Sequence, residues 1–150
     1  MEKLNVGDFE VFDANGKVAG RLASVVAKHV MLGRKVAVVN AERAIISGNK
    51  KVIIDNYKTR VNLKNKANPD HSPYWPRRPD MLLKRIIRGM LPYRMSRGKN
   101  AYRNLRVFMG MPDEFKGAKV IEIESKDPRS MYTGYLTIKE LANHLGYERV

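Results

Sequence analysis

Apolar residues change their spacing several times along this chain, and each change marks an element. Phe9–Phe12 is a short apolar-rich run stopped by the turn dipeptide Asn15-Gly16, which predicts a buried strand over residues 9–12. In "VAGRLASVVAKHVMLG" (18–33), Val18, Leu22, Val25, Val26 and Val30 recur at helical spacing. Arg21, Ser24 and Lys28 fall on the other side, and Gly33 suits a C-terminal cap. "KVAVVN" (35–40) is apolar and β-branched without alternation, the pattern of a strand inside a parallel sheet. Strand, helix and strand within about 30 residues make a βαβ unit, whose crossover is right-handed.

"RAIISG" (43–48) reads as a further short strand and "NKKVIIDNYKTRV" (49–61) as a helix. Residues 65–79, "NKANPDHSPYWPRRP", carry four prolines and therefore predict a long exposed loop. "PDMLLKRIIRGM" (79–90) restarts a helix, with Pro79 and Asp80 favourable in its first turn. Leu83, Ile86, Ile87 and Met90 fall on the face assigned to the core, with Lys84, Arg85 and Arg88 opposite. "SRGKNAYRNLR" (96–106) reads as another helix, Ala101, Tyr102 and Leu105 inward and Lys99, Arg103 and Arg106 as an outward stripe. "KVIEIES" (119–125) is a strand pattern. "TIKELANHLG" (137–146) is a helix with a Thr137/Glu140 capping box, an Ile138, Leu141, Ala142, Leu145 face and a stop at Gly146. No internal repeat is present. The sum is one α/β domain over residues 1–150, mostly parallel, with a basic helical and loop region between its halves.

Charge changes this picture most. The chain holds 29 Lys/Arg against 15 Asp/Glu, a net +14. Residues 58–106 carry fourteen of the basic groups against only Asp70 and Asp80, so +12 sits in the central third. Such density self-repels and calls for a polyanion. A membrane surface is the poorer match, because the apolar helix faces are needed for the core and no apolar run is long enough to span a bilayer. The N-terminus lacks the apolar stretch of a signal peptide, and zero cysteines fit a reducing compartment, so the expected location is the cytoplasm. Basic residues spread over a loop and two short helices, with no major-groove-reading motif, suit folded RNA recognised through backbone and shape.

Other chemistry is weakly represented. Gly16, Gly20 and Glu42 sit roughly where a dinucleotide fold would use them, but both phosphate-cradling glycine motifs are missing. Gly16 reads better as a turn former and Gly20 as space for close packing against the sheet. His29, His71 and His144 have no metal-binding spacing, and no nucleophile motif is present, so neither a cofactor nor an enzymatic activity is expected. Tyr74 and Trp75 lie beside Arg77 and Arg78 in the Pro-rich loop. They could stack on RNA, or Trp75 could pin the loop to its own domain.

Three stretches go further: "DANGKVAGRLAS" (13–24), "VVNAERAIISGNK" (38–50) and "RGMLPYRMSRGKNAYRNLRVFMG" (88–110). With the spacing of Gly89-Met90-Leu91-Pro92, Gly98, Leu105-Arg106-Val107-Phe108 and Gly110, the chain resembles the large-subunit ribosomal protein L-thirteen family over residues 8–147. It is most similar to the archaeal and eukaryotic branch, because Gly33 runs almost directly into "KVAVVN" where bacterial members carry an insertion. The resemblance implies an α/β/α domain with a four-stranded parallel sheet that binds 23S-type ribosomal RNA as a structural part of the large subunit. It also implies ribosomal RNA and neighbouring ribosomal proteins as partners, with no small-molecule substrate. The expected RNA-binding residues are Arg88, Arg94, Arg97, Lys99 and Arg103, surrounded by Arg60, Lys64, Arg77, Arg78, Lys84 and Arg85. Gly89 and Gly98 are expected to let the backbone turn or approach closely, and Pro92 to end the preceding helix. Two other readings are an RNA-modifying enzyme with a nucleotide cofactor and a DNA-compacting architectural protein.

Overall fold

Four short strands, all parallel, form the sheet at the centre of the computed structural model, which describes residues 6–123 and 134–147. They are β1 (Phe9–Asp13), β2 (Lys35–Val39), β4 (Leu105–Val107) and β5 (Val120–Ile121), in the order β4-β2-β1-β5. β1 pairs with β2 along its whole length, Phe9 opposite Lys35 and Asp13 opposite Val39. A second, two-stranded antiparallel sheet joins β3 (Ile45–Ser47) to β6 (Tyr135–Thr137). The helices are α1 (Ala19–Met31), α2 (Lys50–Asn62), α3 (Pro79–Gly89), α4 (Ser96–Arg103) and α5 (Ile138–His144).

Alternation along the strands divides the interior in two. Phe12, Val36, Val38 and Leu105 face a core shared with α1, α3, α4 and α5. Val11, Ala37 and Val39 face the other way onto Phe115, whose ring meets Phe9 edge-on at 6.0 Å and Phe108 at 5.5 Å. The result is a three-layer α/β/α arrangement with the parallel four-stranded sheet in the middle, as expected from the strand and helix order.

Helix α1 buries Ala19, Leu22, Ala23, Val26, Ala27 and Val30, so alanines let it lie close while Val25 sits at the margin. Gly20 is a correction. It is exposed, and a Cβ there would meet nothing within 4 Å, so it provides no packing space: the spacers are the buried Ala19, Ala23 and Ala27. Gly33 (φ +85°) and Gly146 (φ +83°) take the left-handed turns that follow α1 and α5. Thr137 caps α5 by accepting from the Glu140 N–H at 3.2 Å. Strand β5 is shorter than the 119–125 pattern, and residues 124 and 125 lie outside the described residues.

Two further expectations shift by a turn. Helix α3 meets α1, β4 and α5, so its buried face is centred on Leu82, Leu83 and Ile87, with Ile86 half-buried. Met90 is the residue that caps the end of α3 and is 45% exposed, so it is not core. Ile87→Val is therefore expected to lower unfolding free energy by about 0.5–1.5 kcal/mol. Met90→Ala should stay within about 0.5 kcal/mol of the parent, both read by urea denaturation. The 96–106 helix ends at Arg103. Asn104 turns the chain, and Leu105–Val107 joins β2 as the edge strand, Val36 opposite Leu105. Among the described residues, no helix is long and apolar enough to cross a membrane.

Candidate nucleic-acid interface

Helix α3 organises the basic surface. Pro79 supplies the preset φ of its first position, and the Asp80 carboxylate in its first turn receives the Arg78 guanidinium through Nε at 3.2 Å and Nη2 at 2.9 Å. That fork ties Arg78 to the start of the helix. From the remaining face project Lys84, Arg85 and Arg88, and each cation finds an aromatic ring contributed by a different element. Arg85 lies over Trp75 of the loop at 3.9 Å, Lys84 over Tyr102 of α4 at 4.9 Å, and Arg88 over Tyr93 at 4.9 Å. Arg60 of α2 lies against both Tyr57, at 5.4 Å, and Trp75, at 5.2 Å. The rings also meet one another edge to face, Tyr57 with Trp75 at 6.4 Å and Tyr93 with Tyr102 at 5.3 Å. Stacking on an aromatic face holds a cation in place without neutralising it.

The electrostatics follow. Burial lowers the affinity of the Arg85 guanidinium for its proton, and the charges of Arg88 and Arg60 add to this while Tyr102 opposes it. Lys84 is lowered by burial and by Arg106, against a smaller opposing effect of Asp80. Burial raises the Tyr57 and Tyr102 phenols, so they stay neutral. Among the described residues, none of Arg60, Lys64, Arg77, Lys84, Arg85, Arg88, Arg94, Arg97, Lys99 and Arg103 forms an ion pair. Like charge crowds like charge here without internal relief, the condition in which phosphates bind most favourably.

Between α3 and α4 the chain makes a tight turn. Leu91 anchors it in the core, while Met90, Tyr93 and Met95 remain 45%, 37% and 68% exposed. Met95 N–H donates to the Pro92 carbonyl at 3.0 Å, and Gly98 N–H to Met95 at 3.1 Å. The Pro92 carbonyl lies so close to Gly98 that a Cβ there would stand 2.1 Å from its oxygen. Gly98 is thus a close-approach glycine, as expected. Gly89 is not: it ends α3 outside the left-handed region, and a Cβ on it would meet open space. The turn presents Arg94, Arg97, Lys99 and Arg103 to solvent on one short segment.

The loop 65–79 is built rather than loose. Asn65 accepts from the Ala67 and Asn68 N–H groups and donates its own N–H to Ser72, around a short turn at Pro69–His71. Trp75 pins it, half-buried among Tyr57, Arg60 and Arg85. Tyr74 points out and is 86% exposed. Arg77 runs alongside the end of α5, its Nη1 3.5 Å from where a Gly146 Cβ would stand, and Lys64 is exposed just past α2.

The expected cations therefore gather into three groups. Arg60, Lys84, Arg85 and Arg88 form the stacked set; Arg94, Arg97, Lys99 and Arg103 form the turn and α4 set; Arg77 and Arg78 flank the start of α3; Lys64, exposed past the end of α2, joins none of them. Sequence reasoning missed Tyr57, Tyr93 and Tyr102, whose roles depend on contacts between elements, although Tyr57 and Arg60 are spaced i, i+3. It also left Arg106 out of the site, although Arg106 is exposed and near enough to Lys84 to influence its charge.

At the carboxyl ends of the strands, where a nucleotide would sit in an open α/β sheet, polar contacts join the loops beside an open pocket of about 310 Å³ lined in part by Asn15, Gly16, Glu42 and Arg43. The Lys17 ammonium donates to the Ile123 carbonyl at 2.8 Å, and the Glu42 carboxylate accepts the Gly110 N–H at 2.9 Å. Asn40 ties β2 to β1 through the Asp13 carboxylate at 2.8 Å, and Gly16 (φ +66°) makes its turn. His29 is held by Glu10 at 2.6 Å, while His71 and His144 are exposed. Among the described residues, no three His, Asp or Glu side chains gather as a metal site.

The family model for ribosomal protein L13 matches residues 8–114. The chain is 42% identical over 145 residues to a protein of Archaeoglobus fulgidus named large ribosomal subunit protein uL13, covering 95% of this chain and 91% of that one. Proteins of the same name from Methanococcoides burtonii and Methanocaldococcus jannaschii are each 43% identical, covering 91% of this chain and 96% of theirs.

Proposed function

The chain belongs to the ribosomal protein L13 family, and from that premise we propose that it is a structural constituent of the large ribosomal subunit that binds and stabilises folded 23S-type ribosomal RNA. It acts as one domain, without catalysis, with residues 58–106 facing the RNA and neighbouring ribosomal proteins around it. Its place is the ribosome in the cytoplasm. The observation that supports this reading most is the row of cations from Arg60 through α3 and the following turn to Arg103, of which Arg78 alone has a carboxylate partner among the described residues. A nucleotide-dependent modifying enzyme is disfavoured because both phosphate-cradling glycine motifs are missing from the sequence, and Glu42 and Asn40 at the sheet end are engaged with Gly110 and Asp13.

Sedimentation of cell extract with immunodetection tests the class: the protein should travel with large subunits through a salt wash. Release into the free-protein fractions at moderate salt would refute it. With purified ribosomal RNA, neutralising about six phosphates gives a slope of log K against log salt near −5. A flat salt response would remove the basic surface from the interface. Equal affinity for duplex DNA would instead favour an architectural DNA-binding protein.

A further inference from the structure

We propose that Tyr74 is a stacking platform for one unpaired nucleobase, which makes the Pro-rich loop a base-reading element beside a backbone-neutralising surface. This rests on the RNA reading above.

Adjacent residues of the loop do opposite things. Trp75 is turned inward, with Arg85 over its ring at 3.9 Å, Arg60 at 5.2 Å and Tyr57 edge-on. Tyr74 is turned outward at 86% exposure. Its backbone is nevertheless held firmly. Pro73 and Pro76 restrict φ on both sides of the Tyr-Trp pair, and Arg85 Nη1 donates to the Tyr74 carbonyl at 2.9 Å. Much of the ordering entropy for a stacked ligand is therefore lost before binding, and among the described residues no ring or cation stacks on the Tyr74 ring.

The surroundings select the ligand. Within residues 65–79, Tyr74 is the one large apolar side chain left exposed, whereas a protein interface core gathers several. The guanidinium that holds its carbonyl belongs to the basic surface, where Arg60, Lys84, Arg85 and Arg88 form no ion pair among the described residues. An aromatic face on a rigid support, next to phosphate-binding charge, matches a nucleotide: base on the ring, backbone toward the cations. The base has to be unpaired, because a duplex shows its base faces only at its ends.

The test uses the full chain and two RNAs of about 12 nucleotides, single-stranded oligoadenylate and a blunt duplex. Tyr74→Ala should weaken single-strand binding about 5- to 150-fold, the alanine-substitution range for one stacked base. Duplex affinity should change by less than about 2-fold, and the salt slope should stay the same because no charge is lost. Tyr74→Phe should retain parent affinity, and Tyr74→Leu, apolar but without a π face, should behave like the alanine variant. Emission from the sole tryptophan, Trp75, reports whether the loop keeps its packing. Leucine binding as tightly as phenylalanine, or equal losses on both RNAs, would overturn the proposal. Full single-strand affinity in Tyr74→Ala with weakened retention on large subunits would overturn it in favour of a protein contact. In either case the RNA reading survives, since in this assay that reading fails if the parent chain binds neither RNA with a salt-dependent affinity.

Discussion

Replacing Arg94, Arg97, Lys99 and Arg103 together with glutamine is expected to lower ribosomal RNA affinity by about 10²–10⁴-fold and to make the salt slope shallower by about 3 to 4. All four are exposed and form no ion pair among the described residues, so no internal partner is orphaned by the change. Glutamine keeps a similar helix propensity and much of the stem, so α4 persists. Arg103 loses its favourable place in the last turn of α4, worth about 0.3–1 kcal/mol, while relief of repulsion among neighbouring cations acts the other way. Unfolding should therefore move little. Lys116→Gln and Lys139→Gln are the controls: both lie outside the basic segment, and Lys116 is already paired with Asp113. Salt titrations by filter binding should show the controls close to the parent. Equal loss per charge in both sets would reduce the interaction to net charge and dissolve the site.

Gly98→Ala is expected to destabilise the free protein by about 3 kcal/mol or more, beyond ordinary overpacking. The added Cβ would stand 2.1 Å from the Pro92 oxygen, 2.4 Å from its carbon and 2.9 Å from the Tyr93 nitrogen. All three are backbone atoms, so no rotamer change relieves the overlap. Either α4 shifts away from the turn or the turn opens. Gly89→Ala is the contrast, eleven residues of helix ending in open space at an ordinary φ, and should stabilise α3 by up to about 1 kcal/mol. Urea midpoints that coincide for Gly98→Ala and the parent would show that the two backbone segments do not touch.

Elements with a long, regular period were legible in the sequence. The β1–α1–β2 unit, α2, α3 and the capped α5 stand within a residue or two of their predicted bounds. Strand β4 was not, because three residues following a helix by a single turn residue offer no alternation to detect: Leu105 fits the α4 face as well as it fits a strand beside β2. The inward side of α3 was misplaced at Met90 because periodicity does not say where a helix stops being covered. Cations could be counted from the chain, but their support could not. The rings beneath Arg60, Lys84, Arg85 and Arg88 come from α2, the loop, the turn and α4, and the fold alone makes them neighbours. The Arg78–Asp80 fork was closer to hand, two residues apart, yet the burial that gives it meaning is tertiary.

Strand β1 sits inside the sheet, with β2 on one edge and β5 on the other, Val11 opposite Val120 and Phe12 opposite Ile121. The first partner is local and the second is about 100 residues away, so the sheet cannot close in the order in which it is synthesised. At about 5–20 residues per second, the apolar edge of β1 stays open for roughly 5–20 s on each emerging chain. Open strand edges template pairing with other chains. The same order of synthesis delivers residues 58–106, with their +12 charge, before β5 arrives. During that interval mutual repulsion is expected to hold nascent copies apart, so the charge proposed to face phosphate would first act as a colloidal guard on an unfinished sheet.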